Sequence, residues 1–466
     1  MEPEDFLGEE MTAAVQKYER MLRENDNLYF DPEEIEDVID YYIGENKMKR
    51  ALEAIGFART LFPFSIDFSI RKAQILSMLG ELEEAMLAVN EAESLGPENV
   101  DVLMVKGEIF DQQELFDQAI DCYEKALLLS DEKSEIYLSI AYVYQNSGQF
   151  EQALEYLERL LEDEPENEQV LYEIAYCYDV MDRPAESIRF YHQYINQQPY
   201  SFAAWYNLGV MYNRNMEYDQ ALWAYDYAIL INENFSSAWF NKGNTLMELE
   251  RYKEAVDCFK KTVELEGQDA IIFCNMGNCY EKLEQMQEAR TFYKKASKLN
   301  PQLAEAWFGI GVTYDAEGRY TEALTYVKKA IKLEQDDADY WFSLADVYSK
   351  LEQREEADKA YAKATEMDVL LWEAWLDWSL LKLQDNDRHR AFEIMEECLQ
   401  LNPEVHQVHY RLAAYHYLFG SKEKAYTYFE NGLTLDFNDH ALFLDIAPMA
   451  DKDDRIQAMI NAYREG

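Results

Sequence analysis

Ala304-Glu-Ala-Trp-Phe-Gly-Ile-Gly-Val-Thr-Tyr314 is answered 34 residues later by Ala338-Asp-Tyr-Trp-Phe-Ser-Leu-Ala-Asp-Val-Tyr348. Both stretches carry aromatics at their fourth and fifth places, a small residue at the eighth and a tyrosine at the eleventh. Spacings of three, four and seven put places 4, 7, 8 and 11 on one stripe of a helix. Carried outward at the same interval, the register opens repeats at residues 32, 66, 100, 134, 168, 202, 236, 270, 304, 338, 372 and 406, numbered 1 to 12 below. They fill residues 32–439 without insertion or deletion. Such a period marks a stack of supersecondary units that bury their apolar faces against one another.

Each repeat reads as two amphipathic helices. Position 20 is small throughout, for example Ala85, Ala119, Ala153, Ser187 and Ala323, and position 8 is small in every repeat but the first, where Ile39 stands. Helix axes approach to about 8–10 Å where small side chains meet, so these positions mark the crossing of the pair. Position 24 supplies bulk (Tyr191, Tyr225, Phe259, Tyr293, Tyr361), and Pro63, Pro97, Pro165, Pro199, Pro301 and Pro403 at position 32 close the second helix. Gly and Pro are scarce, 17 and 10 in 466 residues, which argues against an all-β chain.

These small and aromatic positions resemble the signature of the tetratricopeptide repeat over about nine-tenths of the chain. The resemblance implies an all-α fold, a right-handed α-solenoid superhelix of antiparallel helix pairs, and a protein that binds other polypeptides. It weakens at the ends, where Lys382 replaces the position-11 aromatic of repeat 11, and His409 and His416 replace the aromatics of repeat 12. Terminal repeats must show a polar outer face. Residues 1–31 are therefore expected to supply a capping helix, with Val15, Tyr18 and Leu22 covering repeat 1. Residues 440–466 read as a degenerate capping unit, broken at Pro448 and closed by a helix carrying Ile456, Met459, Ile460 and Tyr463.

Little sequence remains for chemistry. The 31 residues before the repeats and the 27 after them are too few for a catalytic domain. No glycine-rich phosphate loop, His-Glu-x-x-His or nucleophile-elbow pattern occurs, so neither an enzyme nor a cofactor is expected. His409 and His416 lie seven apart, a spacing that suits a metal, but they occupy packing positions and no carboxylate ligand accompanies them; no metal site is expected. Cys122 and Cys258 share position 23, and Cys177 and Cys279 share position 10, which implies structural slots. The six cysteines form no Cys-x-x-Cys pair, and neither a secretory signal nor a membrane span is visible, so a cytoplasmic location is expected.

The net charge is −48, unevenly spread: residues 1–200 hold 45 acids and 15 bases, whereas residues 251–300 hold 8 and 9. Such a field repels phosphate backbones and anionic membranes, leaving other proteins or peptides as partners, basic or extended ones above all.

The stripe opposite the core, positions 2, 5, 6, 9, 12 and 13 of the first helix, resembles the groove lining of tetratricopeptide arrays. Asn207, Asn241 and Asn275 take position 6 in consecutive repeats, and Asn244 and Asn278 take position 9. An asparagine amide donates and accepts, so a column of them grips an extended backbone regardless of side chain; the same residues equally serve hydrogen bonds between repeats. Tyr172, Tyr206, Phe240, Phe308, Phe342 and Tyr410 stand at position 5, reading as aromatics that bury nothing within their own repeat. Glu173, Asp315 and Asp346 favour Lys or Arg in a ligand, and the few bases of the stripe (Arg71, Arg214, Lys282, Lys350, Arg411) are too scattered for a carboxylate clamp. The other reading is an assembly protein or homo-oligomer acting through its outer or terminal faces, repeats 11 and 12 in particular.

Overall fold

A first helix begins at each of the twelve register points, from Pro32 and Ile66 to Trp372 and His406, in the computed structural model, which describes residues 3–24 and 28–465. Each is followed by an antiparallel partner, as Ala304–Ala316 is by Tyr320–Leu333. The fold is an all-α solenoid of helix pairs, without a strand among the described residues. Several first helices start at a side-chain cap: Asn99 Oδ1 accepts from the Val102 N–H at 3.0 Å and Asp337 Oδ1 from the Tyr340 N–H at 3.0 Å.

Local chemistry repeats with the register. The position-24 ring fills the notch left at position 8: a Cβ on Gly277 would stand 2.6 Å from the Tyr293 ring, and one on Gly209 equally close to Tyr225. The position-4 indoles of Trp205, Trp239, Trp307, Trp341 and Trp375 each donate to a carbonyl six residues upstream, at 2.9–3.2 Å. In repeat 12 His409 does the same, its Nε2 lying 2.9 Å from the Pro403 carbonyl, so this histidine stands in for tryptophan. His416 stacks on Tyr428 with ring centroids 5.4 Å apart, and burial lowers its pKa. The turn between the helices passes through the left-handed region at position 15 in repeats 1–11, although only Gly80, Gly148 and Gly318 are glycine there.

Packing divides the chain into two bodies, residues 1–232 and 233–466. First helices of successive repeats touch one another directly from repeat 7 to repeat 12, and between repeats 2 and 3 and repeats 5 and 6, whereas successive second helices make no comparable contact among the described residues. The row of first helices is thus the crowded side of each stack.

At the N-terminal end the helix Pro3–Glu24 lays Val15, Tyr18 and Met21 on repeat 1, and Tyr18 meets Phe30, Tyr42 and Phe57 ring to ring. Leu22, expected on this covering face, is 44% exposed; Met21, one residue earlier, holds the inward position. At the C-terminal end Ala441–Ile446 and Asp454–Glu465 bury Phe443, Ile456 and Ile460 against repeat 12. Asp453 fastens this segment: its Oδ2 accepts from Tyr417 at 3.0 Å, Tyr426 at 2.9 Å and Lys422 at 3.3 Å. Burial opposes its charge, but these donors outweigh it and hold the carboxyl down to about 2. Its stabilising share is complete above the unfolded value of about 3.9 and lost as pH falls toward 2. Asp453→Ala is expected to speed amide hydrogen exchange across 441–464 while leaving repeats 7–11 unchanged; equal exchange in both proteins would refute that role.

Candidate functional site

Within residues 233–466 the first helices of repeats 7 and 8, Ser236–Glu248 and Ala270–Lys282, bring four of the asparagines into one polar strip. Asn275 Nδ2 donates to Asn244 Oδ1 at 3.0 Å, and Asn278 Nδ2 to Glu305 Oε1 at 2.9 Å. Asn241, Asn244, Asn275 and Asn278 are all half-buried. Part of their hydrogen-bonding capacity therefore goes to joining repeats. Asn207, in the other body, differs: it is 2% exposed, its amide beside the Tyr191 hydroxyl without a well-aligned bond, while that hydroxyl donates to the Leu171 carbonyl at 2.6 Å. A ligand on the surface does not reach it.

The position-5 aromatics are half-buried or exposed except Tyr410, which is fully buried with its hydroxyl donating to the Asp436 carbonyl at 2.6 Å, and the others are not idle within their own repeats. Tyr206, Phe240 and Phe342 lie 6.1, 5.9 and 6.2 Å from the position-24 rings of Tyr225, Phe259 and Tyr361. Tyr172, 37% exposed, meets Tyr206 edge-on at 6.3 Å. Phe308 instead stacks across to Tyr340 of the following repeat, centroids 4.5 Å apart and planes 30° from parallel.

That stack borders a cavity of about 750 Å³ spanning repeats 8 to 10. Glu281, Glu305, Glu334, Asp337 and Asp339 line it, with no Lys, Arg or His. Tyr293 forms part of its wall, the hydroxyl 2.7 Å from both Asn278 Oδ1 and Glu281 Oε2. One proton serves two acceptors there, an arrangement eased when Glu281 is itself protonated. Burial pushes the Glu281 carboxyl above the ordinary carboxylate range, partly offset by the Tyr293 hydrogen bond. Burial also raises Asp339, followed by the neighbouring charges of Asp337 and Asp368. Lys282 beside Glu281 offsets its charge only in part and no base lines the cavity, so a cation entering it would supply further counter-charge.

Three of the five bases of the first-helix stripe, Lys282 and Arg411 being the other two, are already spent. Arg71 pairs with Asp40 at 3.0 Å, Arg214 with Asp179 and Asp182, and Lys350 with Asp315 at 2.7 Å and Asp346 at 2.6 Å. Nothing in that set is left to clamp a carboxylate. Among the described residues only His406, Asp436 and Asp439 bring donor atoms together, within 4.8 Å, in a way that could hold a metal. Hydrogen bonds account for them: His406 Nε2 is 2.8 Å from Asp439 Oδ2, and Asp436 Oδ1 accepts from the Asn438 N–H at 2.9 Å. This trio, drawn from the two ends of repeat 12, escapes a search by helical spacing because Asp436 and Asp439 lie beyond its second helix, Lys422–Leu435. All six cysteines are free and buried, and burial raises the thiols of Cys122, Cys177, Cys274, Cys279 and Cys398. Such thiols are poor nucleophiles.

Family profiles described as tetratricopeptide repeat match residues 100–133, 144–209, 234–302, 268–336 and 338–368. The chain is a tetratricopeptide-repeat protein. No curated protein matches it by sequence. Solved structures similar to this tetratricopeptide-repeat protein include MamA, 23% identical over 36% of this chain and 91% of that one, with a TM-score of 0.33. YrrB, described as a TPR protein with an unusual peptide-binding site, is 26% identical over 40% of this chain and 95% of its own, with a TM-score of 0.34. The APC/C hetero-tetramer Cut9-Hcn1 is similar over 89% of this chain and 96% of the other, at 14% identity and a TM-score of 0.44. As a tetratricopeptide-repeat protein the chain is a protein-interaction scaffold and not an enzyme. No helix among its described residues is long and apolar enough to cross a membrane.

Proposed function

We propose that the first-helix face of repeats 7 to 10 binds an extended, basic polypeptide segment. The observation that carries this reading is the cavity of about 750 Å³ with five carboxylates and no base beside the Phe308–Tyr340 stack. A lysine or arginine side chain entering it meets negative charge and an aromatic face together, and a cation over such a face gains about 0.5–2 kcal/mol. The remaining donors and acceptors of Asn241, Asn244, Asn275 and Asn278 hold the backbone of the same segment.

The test is titration of a fluorescent arginine- and lysine-rich peptide against the full chain. Changing Asn241, Asn244, Asn275 and Asn278 together to Ala is expected to weaken binding by about 1–2 kcal/mol, roughly 5- to 30-fold, with helicity by circular dichroism retained. The loss is moderate because the Asn275–Asn244 and Asn278–Glu305 bonds take part of what the amides offer. Unchanged affinity in the quadruple variant removes the amides from the site.

A further inference from the structure

The second helices of repeats 8 and 9, Met286–Leu299 and Tyr320–Leu333, carry six exposed lysines in one register: Lys294 and Lys328, Lys295 and Lys329, Lys298 and Lys332. The match extends to their surroundings. Lys294 lies over the ring of Tyr314 at 5.8 Å and Lys328 over that of Tyr348 at 5.0 Å, each ring being position 11 of the next repeat. Lys295 lies over Phe273 at 5.3 Å and Lys329 over Trp307 at 3.1 Å, each ring being position 4 of its own repeat.

None of the six forms an ion pair among the described residues, although acids outnumber bases 91 to 43 in the chain. The contrast with the flanking repeats is sharp. In repeat 7 the matching Lys260 and Lys261 are bound to Asp257 at 3.0 Å and Glu264 at 3.2 Å. In repeat 10 the matching Lys363 is bound to Glu366 at 3.0 Å. Positions 22 and 29 make the difference: Asp257 stands at position 22 of repeat 7 and Glu264 and Glu366 at position 29 of the flanking repeats, against Thr291 and Thr325, and Lys298 and Lys332, in the central two. Compensation of the helix dipole does not account for the block. The second helices of repeats 2 to 7 and 10 to 12 carry no basic residue in the last turn.

We propose that this lysine block, on the exposed side of the second helices that also lend Tyr293 and Leu333 to the wall of the acidic cavity, is a second docking surface, and that its occupant is an acidic segment of a partner polypeptide. Charge complementarity sets the sign. Extent and residue type set the class: the block is two repeats wide, the matching lysines on either side are neutralised and only Lys359 of repeat 10 extends it, too narrow for a membrane or a nucleic-acid duplex on a chain of net charge −48. Every member is lysine, a mobile point charge suited to scattered carboxylates, and none is the forked guanidinium favoured for bidentate phosphate recognition. The scaffold then joins a basic partner on one face to an acidic one on another.

A short fluorescent polyglutamate peptide, titrated against the full chain by anisotropy at low salt, tests this. Lys294→Gln, Lys295→Gln, Lys328→Gln and Lys329→Gln combined should lower its affinity at least about tenfold. The flanking control, Lys260→Gln, Lys261→Gln and Lys363→Gln combined, should change it less than about twofold, since those lysines are already paired. Five of the seven positions are exposed and Lys261 and Lys363 are half-buried, so thermal unfolding of both variants should stay close to that of the parent. No binding of polyglutamate, an equal loss in the flanking control, or tighter binding of an oligothymidylate or of phosphatidylserine vesicles overturns the proposal. An arginine- and lysine-rich peptide titrated in parallel should bind the quadruple variant as it binds the parent; if it does not, the two faces are not separate.

Discussion

The double variant Glu305→Lys, Asp339→Lys is expected to lose affinity for an arginine- and lysine-rich peptide by about a hundredfold, or about 3 kcal/mol, with little change in thermal stability. Both residues are exposed at the cavity rim, so the new lysines extend into solvent, and the fold gives up little beyond the Asn278–Glu305 hydrogen bond. Their effect on the ligand is large because two carboxylates are lost and two like charges gained beside the Phe308–Tyr340 stack. Proton linkage gives an independent readout. Glu281 and Asp339 have raised pKa values through burial. A bound cation favours the carboxylate, so binding lowers those values and releases protons, and affinity climbs as pH rises through the upper carboxylate range. Calorimetry near pH about 5 in two buffers of different ionisation enthalpy should show net proton release. Proton uptake, or full binding by the double variant, would place the peptide elsewhere.

Glycine at five turn positions should stabilise the protein. Glu114, Met216, Glu250, Glu284 and Glu352 have φ between 57° and 60°, in the left-handed region, where a side chain costs about 1–2 kcal/mol. All five are exposed and none takes part in an ion pair, so little is lost with the side chain. Net of the extra freedom glycine has in the unfolded chain, each replacement contributes about 0.5–1 kcal/mol, and all five together about 3 kcal/mol. The three in residues 233–466 should raise the unfolding temperature of that body by several degrees, read by calorimetry. Unchanged denaturation midpoints would mean that these turns carry no strain.

How far the sequence could be read depends on what each residue type encodes. Small residues at positions 8 and 20 dictate helix crossing wherever they fall, so the repeat boundaries were legible from Gly277, Ala289 and their equivalents alone. Periodicity assigns a face but not a depth. Asn207 and Asn275 share position 6, yet the first is buried beside Tyr191 and the second reaches Asn244, because the rings packed behind them differ. Met21 displaced Leu22 for a related reason: a single helix without a repeat to align it leaves the covering face uncertain by one residue. The left-handed turns gave no sign at Glu114 or Met216, since neither residue type favours that conformation. The lysine register was visible as Lys294-Lys295 and Lys328-Lys329, but net charge hides a local excess, and only the ion pairs around it show which lysines remain unspent.

The bonds that tie one repeat to another are short in sequence: Asn278 reaches Glu305 across 27 residues, Asn244 reaches Asn275 across 31, and Ser379 reaches Tyr415 across 36. A nascent chain therefore meets the partners of each repeat almost as soon as the next one has left the ribosome, roughly 2–7 seconds later at ordinary rates of synthesis. Newly made hydrophobic stripes stay uncovered only for that interval, which limits the need for chaperones in a chain whose apolar surface is spread over its full length.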